Sequence, residues 1–216
     1  MLEIQDFSFS FRDHRIFENL RAHCLPGEAL LFEGPSGSGK STLFRTLLGL
    51  EGPPSERIFH RGRSLKEWLR RDEREFRRSV QGIFSGGPSR WDPRLSLEVQ
   101  CREAVEAGGV VWSRERFLGS LEGVGIPPET LRRRAHEASR GELQRLLLLR
   151  SLEREPSLIL LDEPYQGLDP FSITLVARLL NLYRDRGGTL VLFLQPGEAS
   201  GLRGSERTIP LKKNLP

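Results

Sequence analysis

The sequence predicts an α/β fold built on a mostly parallel sheet, on three observations. Short, wholly apolar runs at 29–32, 158–161 and 190–194 suit strands buried on both faces. Helical stretches at 41–50 and 170–186 alternate with them, the pattern of a sheet covered by crossover helices. Between the first run and the first helix stands Gly34-Pro35-Ser36-Gly37-Ser38-Gly39-Lys40-Ser41, a glycine-rich phosphate-loop pattern in its required context.

The elements follow in order. Leu2 and Ile4, then Phe7, Phe9 and Phe11, alternate with polar residues, as in a half-buried antiparallel ribbon. Pro26-Gly27 marks a turn before the first buried strand. The helix at 41–50 ends at Gly49 and the Gly52-Pro53-Pro54 breaker. Residues 63–79 are dense in charge, with Leu65, Trp68, Leu69 and Phe76 near helical spacing. A Gly/Pro loop fills 85–94, and 95–135 reads as helix interrupted at Gly108-Gly109 and Pro127-Pro128. The helix at 170–186 stops at Gly187-Gly188. This organisation predicts one domain over 1–216, with a core of about 1–84 and 150–216 and an inserted helical lobe of about 85–149.

Composition narrows the class. The 216 residues carry 33 Lys+Arg against 29 Asp+Glu, a net +4 too small and too mixed in sign to announce a nucleic-acid binder. No run of about 18 apolar residues is present to span a membrane, and the first residues lack the pattern of a signal peptide. Cys24 and Cys101 have no metal-ligand spacing and are expected to be small, reduced core residues. The arginine pairs and triplet at 70–71, 77–78 and 132–134 are read as solvated helix faces, or as a docking surface for acidic groups. Trp91 is open to two readings, an exposed anchor or a packing side chain; Trp68 and Trp112 are assigned to packing.

Two motifs carry chemistry. In the phosphate loop, glycines let successive N–H groups turn toward phosphate oxygens, and the following helix N-terminus adds about half a positive charge. Gly34 to Thr42 are the candidate ATP-binding residues; Lys40 would reach the β- and γ-phosphates and Ser41 would ligate Mg²⁺. After the 158–161 strand come Asp162-Glu163-Pro164. Asp162 is placed to orient the Mg²⁺ shell, and Glu163 to polarise an attacking water as the catalytic base.

With these motifs in hand, the chain resembles the ATP-binding subunit of an ABC transporter, closest in pattern to the oligopeptide/nickel importer branch. Further segments match in order. Phe11 resembles the aromatic that stacks on adenine. Residues 80–85 and 88–94 are similar to that branch's loop region. Ser139-Arg140-Gly141-Glu142 occupies the place of the signature, which in this family acts on a partner's ATP, and Asp169 ends the D-loop. The resemblance implies a P-loop NTPase with a RecA-like core, an N-terminal antiparallel portion and an inserted helical lobe. It also implies ATP and Mg²⁺ as ligands, and a head-to-tail dimer with a second ABC ATPase subunit, homodimer or heterodimer. Integral membrane permeases are the other implied partners, with no nucleic acid, and the implied location is the inner face of the cell membrane.

Two departures bear on mechanism. Ser85 stands where the family places a Mg²⁺-facing glutamine, and the switch histidine is replaced by Gln195 or Pro196, depending on a one-residue shift. Gln81 is expected within a strand, away from the metal. ATP binding is therefore expected to be intact and hydrolysis weakened. The alternative is a nucleotide-sensing regulatory subunit with little turnover.

Overall fold

A computed structural model of the chain describes residues 1–11, 14–84, 90–198, 201–204 and 206–212, without the side chains of Phe11 and His14. Five strands form a parallel sheet in the order β6-β7-β8-β3-β9: β3 (Ala29–Glu33), β6 (Val80–Ile83), β7 (Leu158–Asp162), β8 (Thr189–Leu194) and β9 (Glu206–Pro210). A second, antiparallel sheet has the order β2-β1-β4-β5, from β1 (Leu2–Phe11), β2 (His14–Cys24), β4 (Ile58–His60) and β5 (Arg63–Ser64).

The central strands β3, β7 and β8 carry apolar runs because each face of the sheet there has its own core. Side chains alternate across a sheet. Leu30, Phe32, Leu158, Leu160, Val191 and Phe193 point to one side, where they meet Leu43, Phe44 and Leu47 of α1 (Lys40–Leu47) and Leu2, Ile4 and Phe7 of the antiparallel sheet. Leu31, Ile159, Leu161, Leu190 and Leu192 point to the other. There they meet α4 (Leu97–Ala107), α5 (Arg114–Gly123), α6 (Arg140–Leu152) and α7 (Pro170–Asp185).

Several boundaries differ from the sequence expectation. The first helix stops at Leu47, because Gly49 turns into the left-handed region at φ +65° and its N–H bonds back to Thr46. The charged 63–79 stretch divides into β5, α2 (Leu65–Arg71) and α3 (Glu73–Ser79), broken at Asp72. The 95–135 stretch holds α4, α5 and a short 3₁₀ turn at Pro128–Arg132. Helices α2, α4, α5 and α6 each start on a serine, Ser64, Ser96, Ser113 and Ser139, whose hydroxyl accepts the third N–H of its helix. Trp91 is buried, with Arg150 stacked 4.1 Å above its ring, so it packs rather than anchors a partner. Cys24 and Cys101 are free and buried, and burial pushes each thiol up to about 12. Among the described residues, no helix is long and apolar enough to cross a membrane.

Candidate functional site

Parallel pairing brings the ends of three strands together. Leu194 pairs with Glu33, and Phe193 pairs with Asp162. The chain leaving β3 therefore starts beside the chain leaving β8, and Gly34 N–H bonds to Leu194 O at 3.2 Å. Glu163 N–H bonds to Phe193 O at 3.0 Å. The phosphate loop, the acid pair and Gln195 all emerge at this carboxyl edge, where open α/β sheets take their ligands.

The loop demands its glycines. A Cβ on Gly34 would lie 2.6 Å from Leu211 O and collide with Ser38 Oγ. Gly39 sits at φ +89° as the N-cap of α1, where a Cβ would lie 2.6 Å from Ile16 Cγ2. No side chain caps α1. Pro35, Ser36 and Gly37 form the exposed rim, Ser38 is buried beneath it, and Ser41 and Thr42 open the helix.

Lys40 is buried, and its ammonium donates to Gly34 O at 2.6 Å and Pro35 O at 3.2 Å. The same ammonium lies 3.7 Å from Glu163 Oε1. Ser41 Oγ donates to Asp162 Oδ2 at 3.3 Å, while Asp162 Oδ1 is buried without a partner. Burial, and then the charge of Glu163, raise the Asp162 carboxyl above its ordinary value. Glu163 has φ +47°, a conformation a non-glycine residue holds only where its surroundings enforce it. Its carboxylate accepts from Gln195 Nε2 on one oxygen and from Gln166 Nε2, at 2.9 Å, on the other.

Gln195 rather than Pro196 faces the acid. Pro196 is exposed in a tight turn where Gln195 N–H bonds to Glu198 Oε2 at 3.1 Å. Sequence reasoning missed Gln166, which lies in an irregular turn with no periodic signal. Gln81 lies in β6, its amide donating to Val80 O at 3.1 Å, away from this edge as expected. Ser85 and the side chain of Phe11 lie outside the described residues.

The signature and D-loop residues form a second group. Ser139 and Glu142 make a reciprocal cap on α6: Ser139 N–H donates to Glu142 Oε2 at 2.7 Å, and Glu142 N–H to Ser139 Oγ at 3.2 Å. Glu142 thus has a role within the chain. The Arg140 guanidinium lies against Gly167, where a Cβ would be 2.8 Å from Nη1. Asp169 caps α7, accepting Ser172 N–H at 3.0 Å and Ser172 Oγ–H at 2.6 Å, and Arg145 Nη1 donates to that hydroxyl at 2.7 Å. Among the described residues, no hydrogen bond or ion pair joins 139–142 to the phosphate loop or to the acid pair.

A nucleoside-triphosphate loop at the carboxyl edge of a parallel sheet, with an acid pair two strands away and a capped helix apart from both, defines an ATP-binding cassette. The ABC transporter family model matches residues 17–166, and the chain belongs to that family. It is 34% identical over 186 residues to a protein of Brucella ovis whose name assigns it to ATP-binding in peptide import; the match covers 83% of this chain and 58% of that relative. It is also 34% identical over 191 residues to the nickel import ATP-binding protein NikE of Escherichia coli O157:H7, covering 87% of this chain and 71% of NikE. The chain thus spans little more than half the length of the Brucella relative. The solved structure of an ATP-binding subunit of an ABC transporter superposes with a TM-score of 0.78 at 26% identity, covering 90% of this chain and 79% of that one. A bacterial ABC transporter cassette solved as a dimer shares the fold, with a TM-score of 0.80 at 22% identity over 99% of this chain and 95% of the other.

Proposed function

We propose that this chain binds ATP with Mg²⁺ at the carboxyl edge of its parallel sheet and hydrolyses it slowly, as the ATP-binding subunit of an importer. The observation that carries this proposal is the convergence of Lys40, Ser41, Asp162, Glu163 and Gln195 on that edge. The loop amides and the α1 N-terminus face the phosphates, and Lys40 exchanges its carbonyl partners for phosphate oxygens. Mg²⁺ takes oxygen ligands, and the unpartnered Asp162 Oδ1 with Ser41 Oγ is a donor set that suits it. When bound, the metal neutralises charge on the β- and γ-phosphates. Glu163 orients the attacking water and accepts its proton, held in line by Gln195 and Gln166.

Gln195 is a neutral donor, so it positions Glu163 without adding a positive charge near the γ-phosphate. The switch histidine is absent, and losing one such transition-state donor typically lowers rate by about 10²–10⁴-fold. The helical stretch of about 85–149 serves as a lobe that meets a membrane permease, at the inner face of the cell membrane. Ser139, Arg140, Gly141 and Glu142 face the nucleotide of a second ABC ATPase subunit, in a heterodimer whose other member has the complete site. A steady-state ATPase assay tests this reading, with Glu163→Gln as blank and Gln195→His as the restoring variant. Slow, Glu163-dependent turnover that rises in Gln195→His is expected. Fast turnover in the unaltered chain, or turnover untouched by Glu163→Gln, contradicts it.

A further inference from the structure

Three arginines at the opposite end of the sheet converge with no acid among them. Arg78 lies in the last turn of α3, Arg150 in the last turn of α6, and Arg154 just beyond. Arg78 and Arg154 approach the C-terminal end of α4, and Arg150 lies further back along that helix, within electrostatic reach of Arg154. Arg150 stacks over Trp91 and lies near Cys101 of α4. A Cβ on Gly108 would lie 2.6 Å from Arg154 Nε, and one on Gly109 would lie 2.6 Å from Arg78 Cζ. Two successive glycines, the second at φ +79°, therefore let two guanidinium groups close over the end of α4.

The charges are not balanced by the chain. Arg78 Nε and Arg154 Nε are buried without a hydrogen-bond acceptor, and among the described residues no carboxylate pairs with any of the three. Burial, and then the charge of Arg78, disfavour the cationic form of Arg154. The C-termini of α3, α4 and α6 each offer about half a negative charge, or about one and a half in total against three cations. The Trp91 face satisfies Arg150 in part. A buried donor without an acceptor is costly, and two side by side with like charge are more so.

We propose that Arg78, Arg150 and Arg154 form a binding site for a phosphate-class dianion. Guanidinium forks match tetrahedral oxyanions in a bidentate manner, and a dianion supplies the charge that a single carboxylate does not. The site is separate from the phosphate loop. Arg78 and Arg154 precede the parallel strands β6 and β7, at their amino ends, whereas Glu163, which adjoins Lys40, follows the carboxyl end of β7. The phosphate can come from solution or from a phosphomonoester lipid headgroup.

Calorimetric titration of inorganic phosphate into the intact chain tests this, at constant ionic strength. Lys40→Ala separates the new site from the phosphate loop. Binding should survive Lys40→Ala and weaken by about tenfold or more in Arg78→Gln and in Arg154→Gln, the loss expected for one charged hydrogen-bond partner. In the Lys40→Ala background, phosphate should raise the melting temperature of the chain that keeps its arginines but not of the double arginine variant. Without phosphate, the double variant should be at least as stable as the unaltered chain, because a like-charge contact has been removed. Sedimentation with phosphatidylcholine vesicles, with and without phosphatidic acid, distinguishes the sources. Arginine-dependent sedimentation with phosphatidic acid supports a headgroup, and binding of free phosphate alone supports a soluble anion. Phosphate binding that vanishes with Lys40→Ala or ignores both arginine substitutions overturns the proposal. So does a double variant that is less stable in phosphate-free buffer.

Discussion

Replacing Gly141 with alanine should destabilise the chain, although alanine is the better helix former. Gly141 is buried in the first turn of α6. A methyl group there would run into Ser172 Oγ, and would lie 3.1 Å from Arg145 Nη1 and 3.2 Å from Ser172 Cβ. Ser172 is not free to turn away, since its hydroxyl donates to Asp169 and accepts from Arg145. Three effects compete. Helix propensity favours alanine by about 0.5–1 kcal/mol. Overpacking costs about 1–3 kcal/mol. Losing the hydrogen bond from the charged Arg145 costs about 1.5–3 kcal/mol. The net is a loss of about 1.5–5.5 kcal/mol, a large part of the ~5–15 kcal/mol available to a domain. Urea unfolding should show a lower midpoint with an unchanged slope. Adding Ser172→Ala removes the obstructing oxygen, so the double variant should lose less than the sum of the two singles. Equal or higher stability in Gly141→Ala, or strict additivity in the double variant, would refute the packing argument.

Other outcomes follow from the same geometry. Burial acts to raise the Glu142 carboxyl, but hydrogen bonds with Ser139, then Arg133 and Arg145, hold it below its ordinary 4.5. Its stabilisation is therefore present above about pH 4.5 and lost as pH falls through the lower folded value. Glu142→Gln should show less of that acid loss in urea midpoints measured against pH. Asp162 is shifted the other way from its ordinary 3.8, so its ionised form opposes folding above the raised value. Asp162→Asn should raise the melting temperature of the nucleotide-free chain at neutral pH. That advantage should disappear toward pH 3.8, and ATP binding should lose its dependence on Mg²⁺. Cys24 and Cys101 should react with a thiol reagent only as fast as the chain opens, because both are buried and lifted to about 12.

Three of the parallel strands were legible because both faces of the sheet are buried there, so β3, β7 and β8 each carry an unbroken apolar run, at 29–32, 158–161 and 190–194. β9 was not legible: it is an exposed edge strand, Glu-Arg-Thr-Ile-Pro, and carries no apolar run. Nor did α6 announce itself by period. Leu146 to Leu149 are buried in succession between the sheet and its neighbouring helices, which erases the polar face that marks a surface helix. The phosphate loop and acid pair could be read because their chemistry requires particular residues at fixed spacing. The choice between Gln195 and Pro196 could not, since a one-residue shift leaves the motif equally plausible and only the turn to Glu198 decides it. Trp91 was ambiguous for a similar reason: the cation that covers it, Arg150, comes from a distant helix.

Affinity for a fluorescent ATP analogue, measured on the chain and on Lys40→Ala, tests the central claim most directly. Tight, Mg²⁺-dependent binding that falls by at least about tenfold when the ammonium is removed is expected. Binding that is absent from the folded chain, or is the same in Lys40→Ala, would contradict it.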